Sequence, residues 1–119
     1  MTKEKKILRL PLKKEWYNLI ESGIKTEEYR EIKPYWVKRL VSFSQWHMFN
    51  DASFLAKCQE RGTDFNKTNA TEYTHVKFSY GYTRKTMLFR IESVTIGFGR
   101  SQWGAPGEYV FIIKFRQDD

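Results

Sequence analysis

The chain has one cysteine, Cys58, three prolines and two histidines among its 119 residues. A single cysteine forms no intramolecular disulfide and builds no cysteine-based metal cage, which points to a reducing, cytoplasmic location. His47 and His75 stand far apart, with no partner at metal-ligand spacing, so no metal is expected. Long apolar runs are also missing. The longest uncharged run, Val41 to Asn50, is too short and too polar to cross a bilayer, and no membrane partner is expected. The basic start Met1-Thr2-Lys3-Glu4-Lys5-Lys6 leads into a short apolar stretch only, which does not read as a secretory leader. Gly97-Phe98-Gly99 lacks the third glycine and the following helix of a dinucleotide fingerprint, so it reads as a turn, and no cofactor is expected. Cys58 lacks the local signature of a reactive thiol and is expected to be inert.

Aromatic residues and positive charge are plentiful. Aromatics make up 17% of the chain and hydrophobic residues 40%, which argues against intrinsic disorder. At this length about two thirds of the unfolded surface can be buried, enough for a core without covalent staples. Residues 1–119 are therefore read as one domain. Net charge is +7, from 21 basic and 14 acidic side chains. The first 49 residues carry 11 basic and 6 acidic side chains, an excess of five, and the remaining 70 carry 10 and 8. A field of this sign raises the local concentration of polyanions, which makes nucleic acid a permissible partner.

Ile7 to Leu10 reads as a short strand closed by Pro11. In Lys13 to Ser22, Trp16, Leu19 and Ile20 share one helical face, and Gly23 sits where a helix end favours a left-handed residue. Lys25 to Ile32 has no helical stripe and is expected to be extended. A second helix starts at Pro34, carrying Trp36, Val37, Leu40 and Val41 at helical spacing. Asn50 to Thr74 reads as a long loop with one short helix at Ala52 to Arg61, an insertion in the domain. Beyond it apolar and polar residues alternate through Val76 to Tyr82 and Met87 to Ile96, with a hairpin connection at Thr83-Arg84-Lys85. Tyr109 to Phe115 closes as an apolar strand. Helices early and strands late predict an α+β domain whose sheet curls into a small β-barrel, leaving no exposed edges.

The segment Gly23-Ile24-Lys25-Thr26-Glu27-Glu28-Tyr29-Arg30 carries the most chemical information. If it is extended, Glu28 and Arg30 point to the same side and Lys25 can swing toward them. Two cations and one acceptor suit a small polar ligand. Arg matches phosphate or carboxylate by paired hydrogen bonds, Lys acts as a point charge, and Glu accepts from an exocyclic amine. Among the aromatics, Phe78 and Phe89 are expected in the core, whereas Tyr82 and Trp103, beside glycines, are candidates for base stacking.

Gly23, Lys25, Glu28 and Arg30 reproduce the G-x-K-x-x-E-x-R signature of the ASCH (activating signal cointegrator homology) domain, and the chain resembles that family. Lys14-Glu15-Trp16 to Gly23 resembles its first helix, and Tyr35-Trp36 follows as in many bacterial members. Phe78 to Tyr82 and Trp103-Gly104-Ala105 resemble its C-terminal part, with Tyr35, Tyr80, Tyr82 and Trp103 in segments that line a cleft. The resemblance spans nearly the whole chain apart from Asn50 to Thr74. It implies a PUA-like fold, a small β-barrel with helices packed at its rim, and RNA or nucleotide-like ligands. Lys25 and Arg30 are expected to hold the anionic part, Glu28 the base or ribose donors, and Tyr82 or Trp103 to stack.

Some small members of the family are amidohydrolases acting on N4-acetylcytidine, and a ribonuclease activity is also associated with it. In the amidohydrolase branch a Lys, a Thr and a Glu do the work. Lys25 matches the Lys and Glu28 stands where the Thr falls, while Glu92 and Glu108 are open choices for the third residue. A lysine that activates a nucleophile must shed its proton near neutral pH, and a carboxylate at Glu28 opposes that. Anion recognition therefore ranks above covalent catalysis. A protein-interaction module, binding a protein partner through an altered cleft, is the third reading.

Overall fold

The computed structural model describes residues 4–69 and 72–118. The first residues of the basic N-terminus, and Ala70 and Thr71 within the expected insertion, lie outside the described residues.

Strand β1 (Ile7–Leu12) buries Leu8, Leu10 and Leu12 and turns Arg9 and Pro11 outward, as period-two alternation requires. Helix α1 (Lys14–Glu21) follows at once and buries Tyr17 and Ile20. The expected stripe is thus displaced: Trp16 and Leu19 are only half-buried, because Tyr17 meets Tyr80 edge-on at 5.2 Å and rotates Trp16 toward the rim. The helix stops where Gly23 adopts φ +85°, and the amides of Ile24 and Lys25 both donate to the Leu19 carbonyl at 3.0 Å. That closure launches β2 (Glu27–Glu31) directly from the helix end. Helix α2 (Pro34–Leu40) has its proline in the first turn, where the missing amide proton costs nothing.

The region after α2 is more ordered than its composition suggested. A 3₁₀ run spans Phe43–Asn50, followed by α3 (Ala52–Arg61) and α4 (Phe65–Thr68). The expected long loop is therefore an anchored helical lobe. Phe49, Cys58 and Phe65 are buried, and Phe49 lies 5.4 Å from the Phe65 ring and 5.8 Å from that of Phe111. Few aliphatics were needed because aromatic rings supply the burial. The Asp64 carboxylate accepts from the Asn66 amide at 3.1 Å and from the Val94 amide at 2.9 Å, pinning the lobe to the sheet.

Strands β3 (His75–Tyr80), β4 (Thr86–Gly97) and β5 (Val110–Arg116) complete the chain. β4 pairs along its length, with a bulge between Ile91 and Ser93. The extra residue re-phases the alternation, so that Phe89 and Ile91 before it and Val94 and Ile96 after it all face the core. The sheet order is β1-β3-β4-β5-β2, with β1 parallel to β3 and the other pairs antiparallel.

The result is an α+β fold built on a curled half-barrel with helices against it, not a barrel closed by hydrogen-bonded strands. Its edges, β1 and β2, meet at a seam where Arg30 of β2 donates to the Pro11 carbonyl of β1 at 3.2 Å. Pro11 has no amide proton to continue a ladder there, so a side chain spans the gap instead. Among the described residues no helix is long and apolar enough to cross a membrane.

Candidate functional site

The seam is where the motif lies. β2 pairs with β5 so that Glu28 stands opposite Ile113 and Arg30 opposite Phe111, which places both on the same face of the sheet. Glu28 uses its two carboxylate oxygens separately. Oε1 lies 3.0 Å from Lys25 Nζ and Oε2 lies 2.6 Å from Arg30 Nη1. One carboxylate between two cations leaves the cluster with an excess of one positive charge.

Lys25 is 1% exposed. Its ammonium donates to the Trp103 carbonyl at 2.7 Å and sits 4.7 Å from the Tyr29 ring centre and 5.3 Å from that of Trp16. Burial pushes its pKa below the usual lysine range; Glu28 pulls it back up and Arg30 pushes it further down, but burial dominates. The carboxylate alone would have given the opposite direction. Lys25 is thus committed to protein groups and does not line the cleft, whereas Arg30 does.

Tyr29 turns to the opposite face of β2. Its hydroxyl donates to Glu27 Oε1 at 2.9 Å and accepts from the Arg100 amide at 3.0 Å. Burial raises its pKa to about 12. Together with the Lys25–Trp103 bond, this ties the 3₁₀ turn at Ser101–Trp103 onto β2. Gly104 closes that turn with φ +94°, and a Cβ there would stand 2.8 Å from the Trp16 ring. Glycine is required on both counts.

Arg30 is the member of the cluster that opens to solvent, with its side chain 16% exposed. Of the five N–H groups of a guanidinium, three go to Glu28, the Tyr29 carbonyl and the Pro11 carbonyl, leaving two without a partner among the described residues. Its plane also approaches the Trp36 ring at 5.3 Å. Two clefts meet at Arg30. One, of about 260 Å³, has Lys13, Trp16, Glu28 and Trp103 in its walls; the other, of about 480 Å³, has Glu31, Trp36, Pro106 and Glu108. Tyr29, Arg30 and Gly104 line both.

The structure brings Lys25, Glu28, Arg30 and Trp103 together and leaves Tyr82 apart. Tyr82 is 97% exposed in the β3–β4 turn and lines neither cleft. Strand alternation ended at Tyr80 and the chain turned at Gly81, so the tyrosine points into solvent. Tyr80 packs on Tyr17 rather than in the cleft. Phe78 and Phe89 are in the core. Of the two carboxylates left open, Glu108 lines the larger cleft with Arg30, whereas Glu92 is exposed at the β4 bulge and lines neither. Sequence reasoning missed Trp16, Tyr29 and Trp36 as cleft walls. The Glu28-Tyr29-Arg30 alternation already placed Tyr29 on the other face, but what covers that face is a loop about 70 residues away.

Among the described residues no three of His, Cys, Asp and Glu gather as a metal site. The Cys58 thiol is buried, which raises its pKa and keeps it protonated. Compared with family models, curated proteins and solved structures, the chain matches none.

Proposed function

We propose that this chain is an ASCH-like domain of PUA-like type that binds RNA or a nucleotide-like ligand in the double cleft at the seam of the half-barrel. The observation that carries the reading is the Lys25–Glu28–Arg30 relay, with its excess positive charge, beneath a cleft walled by Trp16, Trp36 and Trp103. Arg30 is the anion contact, held by Glu28 and two backbone carbonyls, with two N–H groups left without a partner among the described residues. The indoles offer stacking faces, worth about 1–3 kcal/mol per base. Lys25 is a positioning residue: it holds Glu28 and the Trp103 carbonyl, and through them the wall of the cleft.

Fluorescence anisotropy with short single-stranded RNA at two salt concentrations tests this. Binding that persists near physiological salt and weakens tenfold or more in Arg30→Ala, about 1.4 kcal/mol, supports the site. Binding that vanishes with salt and ignores Arg30→Ala overturns it.

A second reading, hydrolysis of an N4-acetylcytidine-like amide or of RNA, draws on the lowered pKa of Lys25. That is the direction a proton-accepting lysine needs. Against it, the ammonium is paired with Glu28, and Thr26 is exposed on the far side of the chain. Incubation with N4-acetylcytidine separates the readings. Release of acetate that stops in Lys25→Met, with the fold intact by circular dichroism, selects hydrolysis, and absence of product rejects it.

A further inference from the structure

A third concavity adjoins the larger of the two clefts. It has a volume of about 270 Å³ and lies between β1 and α2, with Arg9, Tyr35, Trp36, Arg39 and Tyr73 in its walls and no carboxylate among its lining residues. Trp36 also walls the larger cleft, whose other side is Arg30. The three concavities therefore run in series: Lys13 and Arg30, then Arg30 and Trp36, then Trp36 with Arg9 and Arg39.

Cations and rings alternate at the two ends of this path, while the middle cleft also carries Glu108 and Glu31, the latter paired with Lys33 at 2.9 Å. Tyr35 is 57% exposed and carries the Arg39 guanidinium 4.1 Å above its ring. Tyr35 and Trp36 meet edge to face at 4.8 Å with their ring planes nearly perpendicular, and the Arg30 guanidinium lies 5.3 Å from the half-buried Trp36 ring. The Arg9 side chain is exposed, projects from the outward side of β1 and makes no hydrogen bond or ion pair among the described residues, while the strand pairs it with Lys77 of β3. A buried structural role explains neither arginine. Fixed positive charges spaced between aromatic platforms are what a flexible chain of phosphates and bases requires; a single phosphate needs only the first cleft.

We propose that the binding site continues from the seam along β1 and α2 as a track for single-stranded nucleic acid, with Arg9 and Arg39 holding backbone phosphates and Tyr35 and Trp36 receiving bases. This rests on the nucleotide-binding reading of the cleft and extends it from one nucleotide to several. Double-stranded nucleic acid does not suit the track, because its bases are stacked on one another and withhold their faces from the rings.

The test compares cytidine monophosphate with a single-stranded RNA octamer on wild type, Arg9→Ala/Arg39→Ala and Arg30→Ala, with inorganic polyphosphate as competitor. The octamer is expected to bind at least tenfold more tightly than the mononucleotide. Arg9→Ala/Arg39→Ala is expected to remove most of that gain, to lower the slope of log affinity against log salt by about 1.4, and to leave mononucleotide binding unchanged. Polyphosphate is expected to compete poorly because it has no bases. Equal affinity for mononucleotide and octamer, an octamer affinity untouched by the double substitution, or polyphosphate competing as well as RNA would each overturn the track. If Arg30→Ala weakens the mononucleotide while the double substitution leaves the octamer untouched, the track fails and the cleft reading stands; if Arg30→Ala changes nothing, the cleft reading fails and the track that continues from it falls with it. If neither probe binds, both fail.

Discussion

The two faces of β2 and β5 are built from opposite materials. On the inner face, Phe111, Ile113 and Phe115 of β5 are buried in the main apolar core, with Phe111 reached by Phe49 and Phe65. At the seam edge of that same face, β2 contributes Glu28 and Arg30, an ionic pair that a third group, Lys25, completes. The outer face holds a small separate cluster of Tyr29, Val110 and Ile112, roofed by Trp103 and Ala105. The core side is insensitive to any particular polar partner and sensitive to volume. The seam side has little volume and depends on each polar group meeting a named mate. Burying charges costs desolvation that an apolar filling avoids, so the seam is weak as a stabiliser and strong as an orienting device. That difference sets the seam apart from the core as a place where packing gives way to paired charges.

The comparison can be broken by substitution. Phe111→Ala opens a cavity beside the rings of Phe49 and Phe65 and should have the largest effect, about 4 kcal/mol by chemical denaturation, with nucleotide affinity preserved at temperatures where the fold survives. Glu28→Ala leaves Lys25 buried and unpaired and should cost about 3 kcal/mol while also abolishing binding. Lys25→Met/Glu28→Leu should recover most of that stability and none of the binding. Recovery of both would place the seam with the core and end the distinction.

A smaller effect comes from Tyr29. Its folded pKa of about 12 lies above the ordinary 10.0, so the unfolded chain releases the proton first and stability declines as pH rises from 10 toward 12. Lys25 acts in the other direction: its folded pKa is lowered, so its contribution makes stability rise with pH up to 10.5. Denaturation midpoints across the alkaline range should show a decline above pH 10 that Tyr29→Phe reduces. The smallest change is at Tyr17, fully buried, with a hydroxyl that has no hydrogen-bond partner among the described residues. Tyr17→Phe should be neutral or stabilising by about 1 kcal/mol, and a loss larger than that would reveal a partner for the hydroxyl.

Much of this was legible in the chain. Helix α1 with its glycine stop, the extended motif, the proline-led α2 and the apolar C-terminal strand all rest on spacing within a few residues, where backbone geometry dictates which side chains share a face. The same logic put Glu28 and Arg30 side by side. Less legible were the 3₁₀ run at Phe43–Asn50 and the anchoring of the lobe that follows, because Phe49, Phe65 and Asp64 find their partners on strands far along the chain. Tyr82 had the composition of a cleft residue and the position of a turn residue, and position decided.

By itself the sequence determined the local elements, the positive charge and the triplet of Lys25, Glu28 and Arg30 on one strand approach. Only the tertiary structure decided that Lys25 is sealed beneath Trp103, that Arg30 alone of the three faces outward, and that Trp16 and Trp36 stand on either side of it. The reason is physical: exposure and partnership belong to surfaces brought together by β5, α1 and α2. No local spacing encodes how a half-barrel curls until its edges meet at Pro11.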